Sequence, residues 1–288
     1  MSLAHPKRWK IEKAQKLVSF LQDRVGGSGK GIRRMLEANG CRVNGAVERF
    51  GSAWVKAGDV VEFLLGAEKA PGHFAVLFEN EAMQIINKPA GWVCSRSPVP
   101  EYFLVHRLDK ETTGALLLAK NAAFRDELMS LFKERRIEKE YLALVDGIPR
   151  QTEGVQESHL AKSKIFQGQT IWASRPKGLS AITQWKTLIA GERESLLLCK
   201  PQTGRTHQIR VHMAEMGHPI LVDRQYATRF HSTLFAARPL LHAWRLHFFF
   251  RGEKIEAIAP LPGDLQSDLV RCNMSMHMEM GHLCNLAR

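Results

Sequence analysis

No apolar run in the 288 residues approaches the roughly 20 that a membrane-spanning helix needs, so a helical membrane protein is not expected. The first residues, MSLAHPKRWKIEKAQKL, carry early positive charge but no apolar core and no small-residue cleavage site. They do not read as a secretory signal, and a cytoplasmic location is expected. Cysteine is sparse: Cys41, Cys94, Cys199, Cys272 and Cys284 are odd in number, widely spaced and without a CxxC, which fits reduced thiols and not a disulfide framework. There is no HExxH, and His207 and His212 would sit about 140° apart on a helix, so they do not share a face as zinc ligands do. Cys272, His277, His282 and Cys284 are zinc-capable types, but their spacing matches no usual finger. No metal is expected from these residues. GGSGKG, the one phosphate-loop lookalike, fails at both ends, with Arg24 in place of the first glycine and Gly31 in place of the hydroxyl.

Acidic residues are also short, 29 against 41 Lys and Arg, which leaves a net charge of +12. Residues 1–66 hold twelve Lys/Arg against six Asp/Glu, 12 − 6 = +6, half the excess in less than a quarter of the chain. Such a segment attracts a polyanion by releasing condensed counterions, so nucleic acid leads, with an anionic membrane face behind it and simple solubility as the bland reading. Leu17, Val18, Leu21 and Val25 recur at helical spacing, and Ile32, Met35 and Leu36 repeat the pattern after the glycine-rich break. Beyond them CRVNG and VKAGDVVEF read as short strands with turns at VNG and AGD. With Lys30, Arg33, Arg34 and Arg42 as candidate RNA contacts, this helix-helix-strand pattern resembles the S4 RNA-binding domain. A solvated basic module without that role is the alternative.

Gly and Pro in residues 67–73 mark a linker, and a second domain is expected over 74–263, followed by a tail over 264–288 that could be disordered. Its strand-like runs FAVLFE, MQIINK, ALLLAK, KEYLALV, AITQWKTLI, ESLLLCK and PLLHAWRLHFFF outnumber two expected helices, 122–135 and 206–216. The two do not alternate, so an α+β fold with a mixed, largely antiparallel sheet is expected in preference to a doubly wound one.

Within it, HRLDKETTG places Asp109 in a turn ahead of a strand, a usual seat for a functional group, though an Asx-type turn without chemistry fits the segment equally well. In TGRTHQIRVH, Arg205 at the expected helix start could clamp a carboxylate bidentately, which makes Asp109 and Arg205 a sensible pair. Tyr141, one of three tyrosines, lies among apolar neighbours, where it is either a core residue or a ring that can stack on a base and exchange a proton.

Taken in order, INKPAGWVC, HRLDKETTG, KEYLALVDG, TGRTHQIRVHMAEMGHPILVD and RPLLHAWRL resemble the motifs of the RluA-type pseudouridine synthases over roughly residues 74–262, a family often preceded by an S4 domain. The resemblance implies a pseudouridine synthase catalytic domain that isomerises uridines in RNA, ribosomal RNA ahead of transfer RNA, without cofactor or metal. It assigns the catalytic aspartate to Asp109, the stacking tyrosine to Tyr141 and the carboxylate-pairing arginine to Arg205. Arg107 resembles the residue that fills the space of an extruded base, Ile209 the apolar lining of the uracil pocket, and His106 and Thr113 are expected beside substrate. Thr113, Val222 and Ala227 depart from the family's serine and two glycines, and GWVCSRSPVP lacks its Val-His-Pro run. A monomer is expected. The alternatives are a non-catalytic RNA-binding or ribosome-assembly factor on the same scaffold, and a base-excising glycosidase.

Overall fold

The structure is a computed structural model that describes residues 6–37, 40–63, 74–95, 97–166, 169–227, 229–234, 236 and 238–274. The chain divides into two compact units, residues 1–69 with 235–238, and 70–234 with 239–288. The expected linker, 67–73, and His277, His282 and Cys284 of the expected tail lie outside the described residues, as does the Arg34 side chain.

The first unit runs β1 (Lys7–Lys10), β2 (Gln15–Lys16), α1 (Leu17–Val25), α2 (Gly29–Glu37), β3 (Cys41–Val43), β4 (Ala46–Val47), β5 (Trp54–Val55) and β6 (Val60–Phe63). The two helices and the strand turns fall where the apolar spacing puts them. Asn44 and Gly45, at φ 52° and 79°, close a two-residue hairpin between β3 and β4, a turn that needs positive φ at both positions. Asn44 then accepts from the Val60 N–H at 2.8 Å and donates to Asp59 at 2.8 Å, which ties that hairpin to β6. The sheet order is β1-β6-β3-β4, and Leu17, Phe20, Leu21, Ile32, Leu36 and Phe63 close the core beneath it.

The second unit is built on one eleven-stranded sheet. Its elements are β7 (Ala75–Glu79), β8 (Met83–Lys88), β9 (Phe103–Leu104), β10 (Thr113–Ala119), α3 (Ala122–Lys133), β11 (Glu138–Asp146), β12 (Glu153–Phe166), β13 (Gln169–Ser174), β14 (Leu179–Ala190), β15 (Glu194–Pro201), α4 (Gln208–Glu215), β16 (Leu241–Phe250), β17 (Glu253–Ile258) and α5 (Gly263–Arg271). The order is β13-β12-β14-β15-β11-β16-β10-β8-β7, with β17 also on β16 and β9 on β10. Only β10 and β16 pair in parallel among the described strands, so the mixed, largely antiparallel α+β architecture is as expected.

Alternation along the strands separates two faces. Ala115, Leu117 and Ala119 of β10 meet Leu128 and Leu131 of α3 on one face. On the other, Ala143 and Val145 of β11 and Leu197 and Cys199 of β15 meet Ile209 and Met213 of α4. The expected tail is corrected in part: residues 263–271 fold as α5, because Leu265, Asp268 and Leu269, at helical spacing, are buried.

Candidate active site

The turn that carries Asp109 is built from beneath. Lys88, at the end of β8, is fully buried, and its ammonium donates to the carbonyls of Pro89, Trp92 and Lys110 at 2.8, 3.0 and 3.0 Å. One cation thus fixes two loops, and the Gly91 N–H reinforces them by donating to the Lys110 carbonyl at 2.9 Å. The Thr112 N–H donates to the Asp109 carbonyl at 3.1 Å and closes the turn.

The carboxylate meets α4. The Arg210 Nη1–H donates to Asp109 Oδ2 at 3.3 Å, while Nε and Nη2 grip Asp223 bidentately at 2.6 and 2.8 Å and Nη2 also reaches Gln225 Oε1 at 2.7 Å. Arg210 is therefore the arginine on Asp109, which corrects the assignment of that role to Arg205. The Nε–H of Arg205 donates to the Ser180 carbonyl at 3.0 Å. The physical reason is where the helix starts. Residues 203–207 form an irregular approach with His207 in the left-handed region at φ 58°, so the first turn is Gln208–Val211, and its arginine, not Arg205, faces the Asp109 turn.

That approach is held by the buried Gln208 side chain. Its Oε1 accepts from the Thr203 hydroxyl at 2.7 Å and the Arg205 N–H at 3.0 Å, and its Nε2 donates to the Ile182 carbonyl and the Thr183 hydroxyl at 2.9 Å. Arg210, Asp223 and Gln208 were not singled out from the sequence. The signal that could have found the first two is a charge inside each of two apolar runs, QIRVHM and PILVD, since a buried charge needs a partner. Val222, just before Asp223, is held at φ 57°, a strained conformation for a β-branched residue.

Charges and protons follow from this packing. Burial opposes the charge on Arg210, but Asp223 and Asp109 outweigh it and the guanidinium pKa is raised. Burial, with Asp109 and Cys94 nearby, also raises the Tyr141 phenol, which keeps its proton. Tyr141 packs against both Ile86, Leu116 and Leu118 and the Ala143, Val145 and Ile209 cluster, on the α4 face. Tyr226 lies under the Arg210 guanidinium, 5.0 Å from ring centroid to Cζ, and its oxygen is 2.6 Å from His207 Nδ1. Asp109, Tyr141 and Arg210 therefore share one partly water-accessible face, in which a carboxylate sits beside an un-ionised phenol.

The other expected site residues divide. Arg107 is exposed next to Asp109, and Ile209 is buried in the cluster that also supports Tyr141. Thr113 is buried, and its hydroxyl lies 2.9 Å from His242 Nδ1, so it braces the parallel strand pair instead of facing substrate. His106 is likewise corrected: its Nε2 accepts from the Leu117 N–H at 3.0 Å and its ring lies on Phe132, toward the α3 face. In the first unit Lys30 and Arg33 are exposed, but Arg42 is buried in β3, where it faces Glu62 across the pairing, and it leaves the candidate RNA surface. Among the described residues no cluster of His, Cys, Asp and Glu could hold a metal ion.

Two histidines, His212 buried and His106 half-buried, make stability depend on pH. Burial, with Lys139 adding, pushes His106 down to about 3, and burial pushes His212 down to about 4. His212 is held between Thr183 and Ser158 at 2.9 and 3.0 Å. Both folded values lie below the unfolded value of about 6.5, so below that pH the unfolded chain binds more protons and stability is lost as pH falls toward about 4. About 2 kcal/mol per histidine is expected to disappear between about pH 7 and pH 5. Urea unfolding of the protein and of His212→Gln at the two pH values tests this; an equal loss in both would contradict it.

The sequence model of one family, RNA pseudouridylate synthase, matches residues 83–215. A ribosomal large subunit pseudouridine synthase D from Haemophilus ducreyi is 33% identical over 80% of this chain and 80% of its own length. An uncharacterized RNA pseudouridine synthase from Zymomonas mobilis is 37% identical over 65% of this chain and 93% of its own. Among solved structures, human RNA Pseudouridylate Synthase Domain Containing 1 superposes with a TM-score of 0.61 at 27% identity, over 70% of this chain and 90% of that one.

Proposed function

Since the chain belongs to the RNA pseudouridylate synthase family, we propose that it isomerises specific uridines in ribosomal RNA to pseudouridine, with Asp109 as the reacting carboxylate. The observation that carries the assignment is Asp109 on Arg210 at 3.3 Å, on the same face as the protonated Tyr141. In the reaction the N1–C1′ bond breaks, the uracil turns, and C5 joins C1′. The base lies within a stacked strand and is flipped out to be reached, at least cost from a loop or single strand. Arg210 holds Asp109 aimed at the sugar. Tyr141 offers the flipped base its ring, and the proton that C5 loses as it bonds to C1′ is matched by the one that N1 takes up, so the step is an isomerisation. Arg107, exposed beside Asp109, occupies the space the base leaves, and Ile209 supports the apolar side of the pocket. The name of the Haemophilus ducreyi relative favours ribosomal over transfer RNA.

The first unit acts as an S4-like docking module, supported by its helix-helix-strand order and by Lys30 and Arg33, both exposed on α2. Replacing those two with glutamine is expected to weaken RNA binding and to lower the salt slope of log K by roughly 1 to 2. Binding titrated from low to moderate salt measures it, and an unchanged slope would move the docking surface elsewhere.

The isomerase reading is tested by mapping pseudouridine in total RNA from cells lacking the protein and from cells given back wild type or Asp109→Ala. Defined ribosomal sites are expected to vanish and to return with wild type alone. Full restoration by Asp109→Ala would instead favour a non-catalytic assembly factor, and release of free uracil would favour a glycosidase.

A further inference from the structure

Arg210 grips only one oxygen of Asp109, and the other faces His207, whose Nε2 lies 3.8 Å from Oδ1. The state of that ring follows from its other nitrogen. His207 Nδ1 is 2.6 Å from the Tyr226 oxygen, and the same oxygen accepts the Trp172 N–H at 3.3 Å. A phenol has one proton to donate. Burial raises the Tyr226 phenol to about 12, so the proton is present, and among the described residues His207 Nδ1 is its acceptor. His207 Nδ1 is then unprotonated, and the ring hydrogen sits on Nε2, facing Asp109. Burial first, and then the Arg210 charge, lowers the His207 pKa against the opposing pull of Asp109 and Asp223, so the ring is neutral at neutral pH.

We propose that His207 is a positioning residue for Asp109, with its Nε2–H tautomer selected by Tyr226, so that imidazole and guanidinium hold one carboxylate oxygen each. The separation of 3.8 Å closes to a hydrogen bond by a small rotation of the carboxylate, as catalytic contacts commonly do once substrate is bound. The backbone serves this arrangement. At φ 58°, ahead of the regular helix, His207 points its ring between Tyr226 and Asp109, and its T-shaped contact with the Tyr226 ring, at 5.6 Å, fixes the plane. Tyr226 thus serves two holders of Asp109, since its ring lies under Arg210 and its hydroxyl sets His207. The inference rests on the isomerase reading for its kinetic consequence only.

The test uses the full chain labelled with nitrogen-15 histidine, with the His207 signals identified by their loss in His207→Asn, a substitution that suits positive φ. Wild type is expected to show a pyridine-like Nδ1 and a pyrrole-like Nε2 at neutral pH, and Asp109→Asn to lower the His207 pKa further by removing the facing negative charge. Tyr226→Phe is expected to mix the tautomers. In turnover, His207→Asn should lower kcat by about tenfold or more and Tyr226→Phe by about three- to tenfold, with KM held within about twofold in each. An Nδ1–H tautomer or an imidazolium at neutral pH would overturn the proposal, as would kcat within about twofold of wild type in both variants. The NMR measurements need no turnover, so inactivity of the wild-type protein would sink the isomerase reading alone.

Discussion

Arg210→Ala is expected to cost both the fold and the chemistry, whereas Arg205→Ala leaves both nearly intact. Removing the guanidinium strands Asp223, which is 1% exposed, as a buried carboxylate without its bidentate partner. Breaking a buried ion pair from one side costs about 3–5 kcal/mol. The same substitution frees Asp109 from its cationic holder, so pseudouridine formation should fall by more than about a hundredfold even where the variant is kept folded at low temperature. Arg205, whose Nε–H meets the Ser180 carbonyl at 3.0 Å, should change kcat by less than about threefold when replaced. Urea unfolding and single-turnover assays on the two variants decide between them. The reverse ranking would return the clamp to Arg205.

Gly114→Ala is expected to prevent folding of the second unit. A Cβ at this position would lie 2.1 Å from the Ala243 carbonyl oxygen and 2.7 Å from its carbon, and φ is +114°, a conformation that side chains avoid. The obstacle is backbone, in the one register where β10 and β16 run parallel, Gly114 opposite Ala243, so no rotamer change relieves it. Strain at this φ adds to the displacement of a central strand, together on the order of 4 kcal/mol or more. Because Asp109 sits just upstream of this strand, residual folded protein should also be inactive. Soluble yield and near-ultraviolet circular dichroism measure the outcome, and a native spectrum with a urea midpoint near that of wild type would refute it.

What could be read from the sequence follows burial. ALLLA of β10 is a continuous apolar run, and MQIINK and ESLLLCK hold shorter ones, because their strands are buried on both faces, and each is legible. β12, EGVQESHLAKSKIF, was missed because most of its residues are exposed or half-buried and its pairing with β13 and β14 is dictated by the neighbours. β17, with Glu253, Lys254 and Glu256 among its six residues, escaped for the same reason. Asp109 and Tyr141 could be placed from their local segments and their ordered company. The partner of Asp109 could not, since the choice between Arg205 and Arg210 turns on a left-handed residue at His207 and on the side chain of Gln208, neither of which leaves a periodic trace. His106 and Thr113 drew attention by their nearness to Asp109 in the chain, yet His106 turns onto Phe132 and the Leu117 N–H from the loop before Asp109, and Thr113 opens β10 against His242.

Arg210 grips Asp223 with two nitrogens and Asp109 with one, so the side chain that locks α4 to the turn at Asp223 leaves Asp109 the less restrained of its two carboxylates. The aim of the carboxylate proposed to react is therefore inherited from the buried pair behind it. A change that shifts α4 against the Asp223 turn, without touching Asp109 or its own turn, would swing the reacting oxygens away from the sugar.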